Sequence, residues 1–95
     1  IVEAGVEAVS ETCDIAAKKN AEFAIYLPKE ERLYVKLYDR KNVMIGMVYN
    51  EKLDGGKHGV IWDGSRSGGK KVAKGVYTLE FSAGSFRKEL KVTVK

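Results

Sequence analysis

From residue 21 onward, apolar and polar residues alternate with a period of two, the mark of extended chain whose successive side chains point to opposite faces. Phe23, Ile25 and Leu27 alternate with Glu22, Ala24 and Tyr26 before Pro28, whose missing N–H ends a ladder. This predicts a half-buried strand over residues 21–27. After the polar turn 29–32, Leu33, Val35 and Leu37 alternate with Tyr34, Lys36 and Tyr38 in a second strand. Asp39-Arg40-Lys41-Asn42 has the chemistry of a tight turn, with Asp able to bond the backbone and Asn able to take a left-handed conformation.

Residues 43–49 are apolar on both faces apart from Gly46, as in a central strand or one covered by the amino-terminal segment. Residues 50–56 read as a surface connection between sheets. His58, Val60 and Trp62 then alternate with Gly59 and Ile61, which puts His58 and the single tryptophan on an inward face. Asp63-Gly64 and Gly68-Gly69 supply turn chemistry, and alternation resumes with Tyr77, Leu79 and Phe81 inward against Val76, Thr78, Glu80 and Ser82. In the last strand Phe86, Leu90, Val92 and Val94 oppose Arg87, Lys91 and Thr93, and Lys88 falls on the apolar side near an open end.

The first 20 residues carry two patterns. Val2, Ala4, Val6 and Ala8 alternate as in an edge strand, whereas Val6, Val9, Cys13, Ala16 and Ala17 approximate a helical stripe. The β-branched residues and Gly5 favour strand. Altogether, about seven short strands with turn residues between them predict an all-β fold, an antiparallel Ig-like or fibronectin-III-like β-sandwich over residues 1–95, with His58, Trp62 and Tyr77 in its core.

Composition changes little in that picture. With 44% hydrophobic and 32% charged residues, the 95-residue chain is of ordinary globular character. No apolar run approaches the roughly 20 residues that cross a bilayer, so no membrane insertion is expected. A chain that starts at Ile1, with acidic rather than basic early residues, reads as a mature product or an excised domain. The net charge of +4 is uneven: residues 1–20 hold −2, leaving +6 for the remainder. Basic residues are interleaved with acidic ones and no nucleic-acid motif occurs, so a lysine-rich solvated face is expected and no nucleic-acid partner.

Candidate chemistry is sparse. The run Gly64 to Lys71 contains G-x-x-x-x-G-K, yet Lys71 stands where a phosphate loop needs Ser or Thr, and a strand follows where a helix must open. One His and one Cys make an all-protein zinc site improbable, and no metal or cofactor is expected. His58 has no nucleophile set beside it by any motif, so a packed or hydrogen-bonded role is expected. Cys13 lacks a basic cluster that would lower its pKa and reads as an inert small residue. Asp63 and Asp39 read as turn residues whose carboxylates bond backbone amides. Among the tyrosines Tyr26, Tyr34, Tyr38 and Tyr49, the set Tyr26, Tyr34 and Tyr38 with Lys36 forms the candidate interaction surface, since aromatic rows stack on sugars or pack on neighbours.

From residue 21 the chain also resembles the Ig-like domain family named for the flagellar hook-capping protein. The matching segments are F-A-I-Y-L-P at 23–28, V-K-L-Y-D at 35–39, L-D-G-G-K-H-G-V-I-W-D-G at 53–64 and V-A-K-G-V-Y-T-L at 72–79. W-D-G followed eleven residues later by G-V-Y is the most specific part, and residues 1–20 match poorly. The resemblance implies a non-catalytic Ig-like module for structure or assembly, within a larger secreted, cell-surface or appendage protein of bacteria. Its implied partners are other domains of that protein or neighbouring surface subunits, outside the cytoplasm. Arg66-Ser67-Gly68-Gly69 replaces the acidic D-D-N-G turn frequent in the family, which argues against a turn-bound cation. The alternative is a carbohydrate-binding accessory module of an extracellular hydrolase, with glycans as partner.

Overall fold

A computed structural model describes residues 4–66 and 69–95. Its strands are β1 (Gly5–Ser10), β2 (Thr12–Cys13), β3 (Ala21–Leu27), β4 (Glu31–Tyr38), β5 (Met44–Leu53), β6 (Gly56–Trp62), β7 (Gly75–Ala83) and β8 (Phe86–Val94). They form a three-stranded sheet in the order β1-β3-β6 and a five-stranded sheet in the order β2-β8-β7-β4-β5. The predicted all-β sandwich is what folds, with eight strands among the described residues. Val2 and the turn residue Gly68 lie outside the described residues.

Alternation builds each layer. In β4, Leu33, Val35 and Leu37 are fully buried while Tyr34, Lys36 and Tyr38 between them are only half-buried. β7 does the same with Leu79 and Phe81, and β3 with Phe23, Ile25 and Leu27. The inner faces meet in one apolar core that also takes Val60, Trp62, Val92 and Val94. Each such aliphatic or aromatic side chain removed from water contributes about 1.5–3 kcal/mol.

Two aromatic pairs run from the small sheet to β7 of the large one. Phe23 meets Phe81 with ring centroids 5.1 Å apart, and Trp62 and Tyr77 meet in a T-shaped pair at 6.1 Å. Both separations lie in the favourable range for tilted and edge-on rings. Tyr77 is half-buried, since its ring packs on the core while its hydroxyl donates to the Ala73 carbonyl at 2.7 Å.

The amino-terminal segment is extended, and it serves both sheets. β1 pairs with β3, a bulge at Val9 bends the chain, and β2 then joins the other sheet parallel to β8. Thr93 N–H donates to the Glu11 carbonyl and Lys95 N–H to the Cys13 carbonyl, at 2.9 and 2.8 Å. This is the one parallel ladder among the described strands. Lys88 is on the core side of β8, as its position in the alternation requires, and its ammonium reaches out to the Val6 carbonyl at 3.5 Å. Its apolar stem covers the rim while the charge stays wet.

Three expectations need correction. β5 is an edge strand, neither central nor covered, and Met44 at its start is 46% exposed. It also runs on through Asn50 to Leu53, so the connection to β6 is short and the expected crossing loop at 50–56 is mostly strand. His58 is no core residue. Its partner Ile25 is fully buried, but His58 is half-buried and its Nε2 lies 2.6 Å from the Asp54 carbonyl, because β6 begins only two residues earlier at the rim.

Trp62→Ala removes the largest fully buried side chain. It should lower unfolding free energy by about 3–5 kcal/mol in a denaturant titration. A midpoint shift too small to resolve would mean that the indole does not anchor the core.

Candidate functional site

The β6–β7 junction is the most specific stretch of the sequence, and its side chains are turned to structure. Trp62 is 2% exposed, and its indole N–H donates to the Ser65 carbonyl at 2.8 Å. A buried donor is thereby satisfied by the turn that follows it. Asp63 accepts from Ser65 N–H at 3.0 Å through Oδ1 and from the Lys71 ammonium at 3.0 Å through Oδ2. Lys71 also donates to the Asp63 carbonyl, and Val72 N–H to the Gly64 carbonyl, so the loop is closed at its base. Gly64 sits there at φ +86°, where a Cβ would lie 3.1 Å from Ile15 and 3.3 Å from the Cys13 sulfur. Only glycine fits both the dihedral and the space.

In the phosphate-loop-like run the lysine Lys70 is exposed, Lys71 at the Ser/Thr position is engaged by Asp63, and the segment continues into strand β7. Hydrogen bonds from Ser65 and from Lys71 hold the Asp63 carboxyl below its ordinary range. Cys13 is fully buried, and that burial pushes its thiol up, away from the reactive thiolate. Asp39 also serves a turn, accepting from Lys41 and Val43 N–H at 2.8 and 3.0 Å, with Asn42 in the left-handed region at φ 63°. Among the described residues, no three His, Cys, Asp or Glu side chains gather as a metal site would require.

The candidate tyrosine surface divides between opposite sides of the sandwich. Tyr34, Lys36 and Tyr38 project from the outer face of the five-stranded sheet, in register with Ser82, Glu80 and Thr78 of β7. Tyr26 projects from the outer face of the three-stranded sheet, where the Lys57 ammonium lies 5.8 Å from its ring centroid. Tyr49 faces inward opposite Val35, and its hydroxyl donates to Glu51 at 3.1 Å. Burial and that carboxylate push the hydroxyl's pKa up. Of the candidate set, Tyr26 lies on one face, and Tyr34, Lys36 and Tyr38 share the other.

That face has a definite electrostatic layout. Glu80 is only 7% exposed although it points outward, flanked in register by Lys36 and Glu89. Arg32, Lys52, Arg87 and Lys91 surround this strip, and Arg32 donates to the Asn50 side chain at 2.9 Å. Beyond Tyr38 the strip leads to an open hollow of about 530 Å³, lined by Arg40, Asn42, Thr78, Glu89 and Lys91 among others. Stacking, hydrogen bonding and attraction of anions are what such a surface offers. The two most exposed large apolar residues described are Val9 at 66% and Ile61 at 61%, both on the small sheet. The available signal was Ile61 at an outward position where a half-exposed strand usually places a polar residue.

Two packed antiparallel layers, a buried strand tryptophan and turns satisfied by their own side chains define an Ig-like structural domain. The model of the FlgD Ig-like domain family matches residues 10–85, and the chain belongs to that family. The match runs from the end of β1 to the β7–β8 turn, so β8 completes the large sheet beyond it. No curated protein matches the sequence.

Asp63 gives a pH prediction. A carboxyl held below its unfolded value, about pH 4, stabilises the fold above that pH, and the contribution is lost as pH falls through the lowered value. The side chain is half exposed, so screening limits the effect to about 1 kcal/mol or less. Asp63→Asn should be slightly less stable than the parent at neutral pH, with the gap closing on acidification. A gap that widens in acid would contradict this role.

Proposed function

We propose that this domain is a non-catalytic structural and assembly module of a larger bacterial protein that is secreted, displayed on the cell surface or built into an appendage. Family membership supports a structural Ig-like module, and one geometric observation supports a spacing role. Gly5 pairs with Tyr26 at the end of the sandwich that also holds Gly56, whereas Val94 pairs with Gly75 at the other end, near Trp62 and Ala21. β1 begins at one end of the sandwich and β8 finishes at the opposite end. A domain threaded in this way holds flanking segments apart along the strand direction, and its apolar core keeps that distance fixed. Partners in this reading are the neighbouring domains of the same protein or adjoining surface subunits.

A carbohydrate-binding role is the second reading, favoured by the Tyr34–Lys36–Tyr38 strip and the polar hollow next to it. Aromatic faces stack on sugar rings while Arg, Asn and carboxylate groups bond hydroxyls. One experiment separates the two: the parent chain is compared with a version lacking this domain and with a Tyr34→Ala, Tyr38→Ala version, by quantitative immunoblotting of cell-surface fractions. Loss of surface material on deletion, with the double variant unchanged, is expected of the structural module. A double variant as defective as the deletion supports the glycan reading, and a deletion without effect contradicts both.

A further inference from the structure

Sheet edges are where one chain accepts another, because their N–H and C=O groups lack a neighbour. Four strands border the two sheets, and three of them are interrupted. β2 is two residues long, β1 carries a bulge at Val9, and the pairing of β5 with β4 shifts register twice. Bulges and short edges of this kind discourage pairing. β6 is different: it pairs with β3 over seven consecutive residues, from Gly56 to Trp62, with no shift, and its other side hydrogen-bonds to no strand among the described residues. No proline interrupts it, and its outward positions are Lys57, Gly59 and Ile61.

Those outward residues leave a shaped surface. A Cβ built on Gly59 would meet nothing within 4 Å, so open space stands above the strand there. Together with Ala24 and flanked by Val9 and Ile61, it forms the floor of a shallow groove of about 430 Å³. Beside this empty position, Ile61 stands 61% exposed. One residue beyond the strand, Asp63 keeps its side chain 51% exposed despite its contact with Lys71.

We propose that β6 is the edge at which a second copy of this chain adds, antiparallel and two-fold symmetric about Val60, so that two three-stranded sheets become one six-stranded sheet. In this register Lys57 stands opposite Asp63 of the other copy, and Ile61 stands opposite Gly59, each pair occurring twice. The charges are complementary, and the isoleucine fills the space that glycine leaves. A two-fold centre at Gly59 would instead set Lys57 against Ile61, and a centre at Ile61 would set Gly59 against Asp63, losing both matches. A slip of one residue would turn the core face of one sheet outward. The charge pattern thus selects a second copy over an unrelated strand. A seven-residue edge gives a small interface, hence weak association between free domains. Copies held close together in an array would pair far more completely through their high effective concentration. This pairing does not depend on the surface location proposed above.

The test is sedimentation velocity of the 95-residue chain from micromolar concentration to about 1 mM, the range in which weak pairing registers. The average mass should rise reversibly from 10.5 kDa toward twice that value. Ile61→Lys and Lys57→Glu should each raise the dissociation constant about tenfold or more. Met44→Lys, at the exposed start of the other edge, should leave it unchanged, and circular dichroism should show all three folded. A wild-type chain that stays monomeric throughout overturns the proposal and leaves the edge to a foreign strand. Association that survives both β6 substitutions, or that Met44→Lys weakens as much, overturns it as well.

Discussion

The fold depends on one buried indole. Trp62 ends β6, fills the space between the sheets against Tyr77, and hands its only polar atom to the carbonyl of Ser65 three residues later. Burying an indole is favourable only when its N–H keeps a partner. That partner comes from the turn, and the turn in turn is held by Asp63, Gly64 and Lys71. The W-D-G motif is therefore one structural unit: an aromatic anchor, a carboxylate that ties the next amides and the lysine across the loop, and a glycine that lets the chain pass over Cys13 and Ile15. Strand, loop and amino-terminal segment converge there, which accounts for the motif being the most specific part of the sequence.

Exposed side-chain chemistry lies elsewhere as a consequence. Three groups whose chemistry the sequence put in question are engaged or enclosed. Lys71 is tied to Asp63, Cys13 is sealed in the core, and His58 meets the Asp54 carbonyl at the rim. Free chemical character remains on two surfaces of different kind. The large sheet presents a tyrosine and lysine strip around Glu80, and the small sheet presents an uninterrupted edge next to an apolar groove. Both are surfaces without a catalytic constellation among the described residues, consistent with a family of structural domains.

Strands with strict alternation were legible from the residues alone, as β3, β4, β7 and β8 show, and so was the turn from Asp39 to Asn42 whose side-chain chemistry is local. β5 was not, for a physical reason. Its two register shifts each insert a residue, and an inserted residue reverses the face of everything after it. Gly46 and Met47, between the two shifts, consequently lie on faces opposite to those that counting from Met44 gives, and the second shift restores the count by Tyr49. The polar run Asn50 to Lys52 resembled a loop because an edge strand tolerates charge. His58 followed the correct alternation, but periodicity carries no information on how near a residue lies to the end of its strand. Likewise the four tyrosines could not be sorted by sheet, since local pattern gives a face and never the layer to which it belongs.

Because the chain has a single tryptophan, its fluorescence reports one position, and acrylamide quenching of Trp62 in the native and unfolded chain tests the account most directly. An indole wedged between the sheets should be strongly shielded from quencher in the native protein and become accessible in the same transition that abolishes the β-sheet circular dichroism. Quenching in the native protein as efficient as in the unfolded chain would show that Trp62 is not buried, and the closure of the sandwich described here would be wrong.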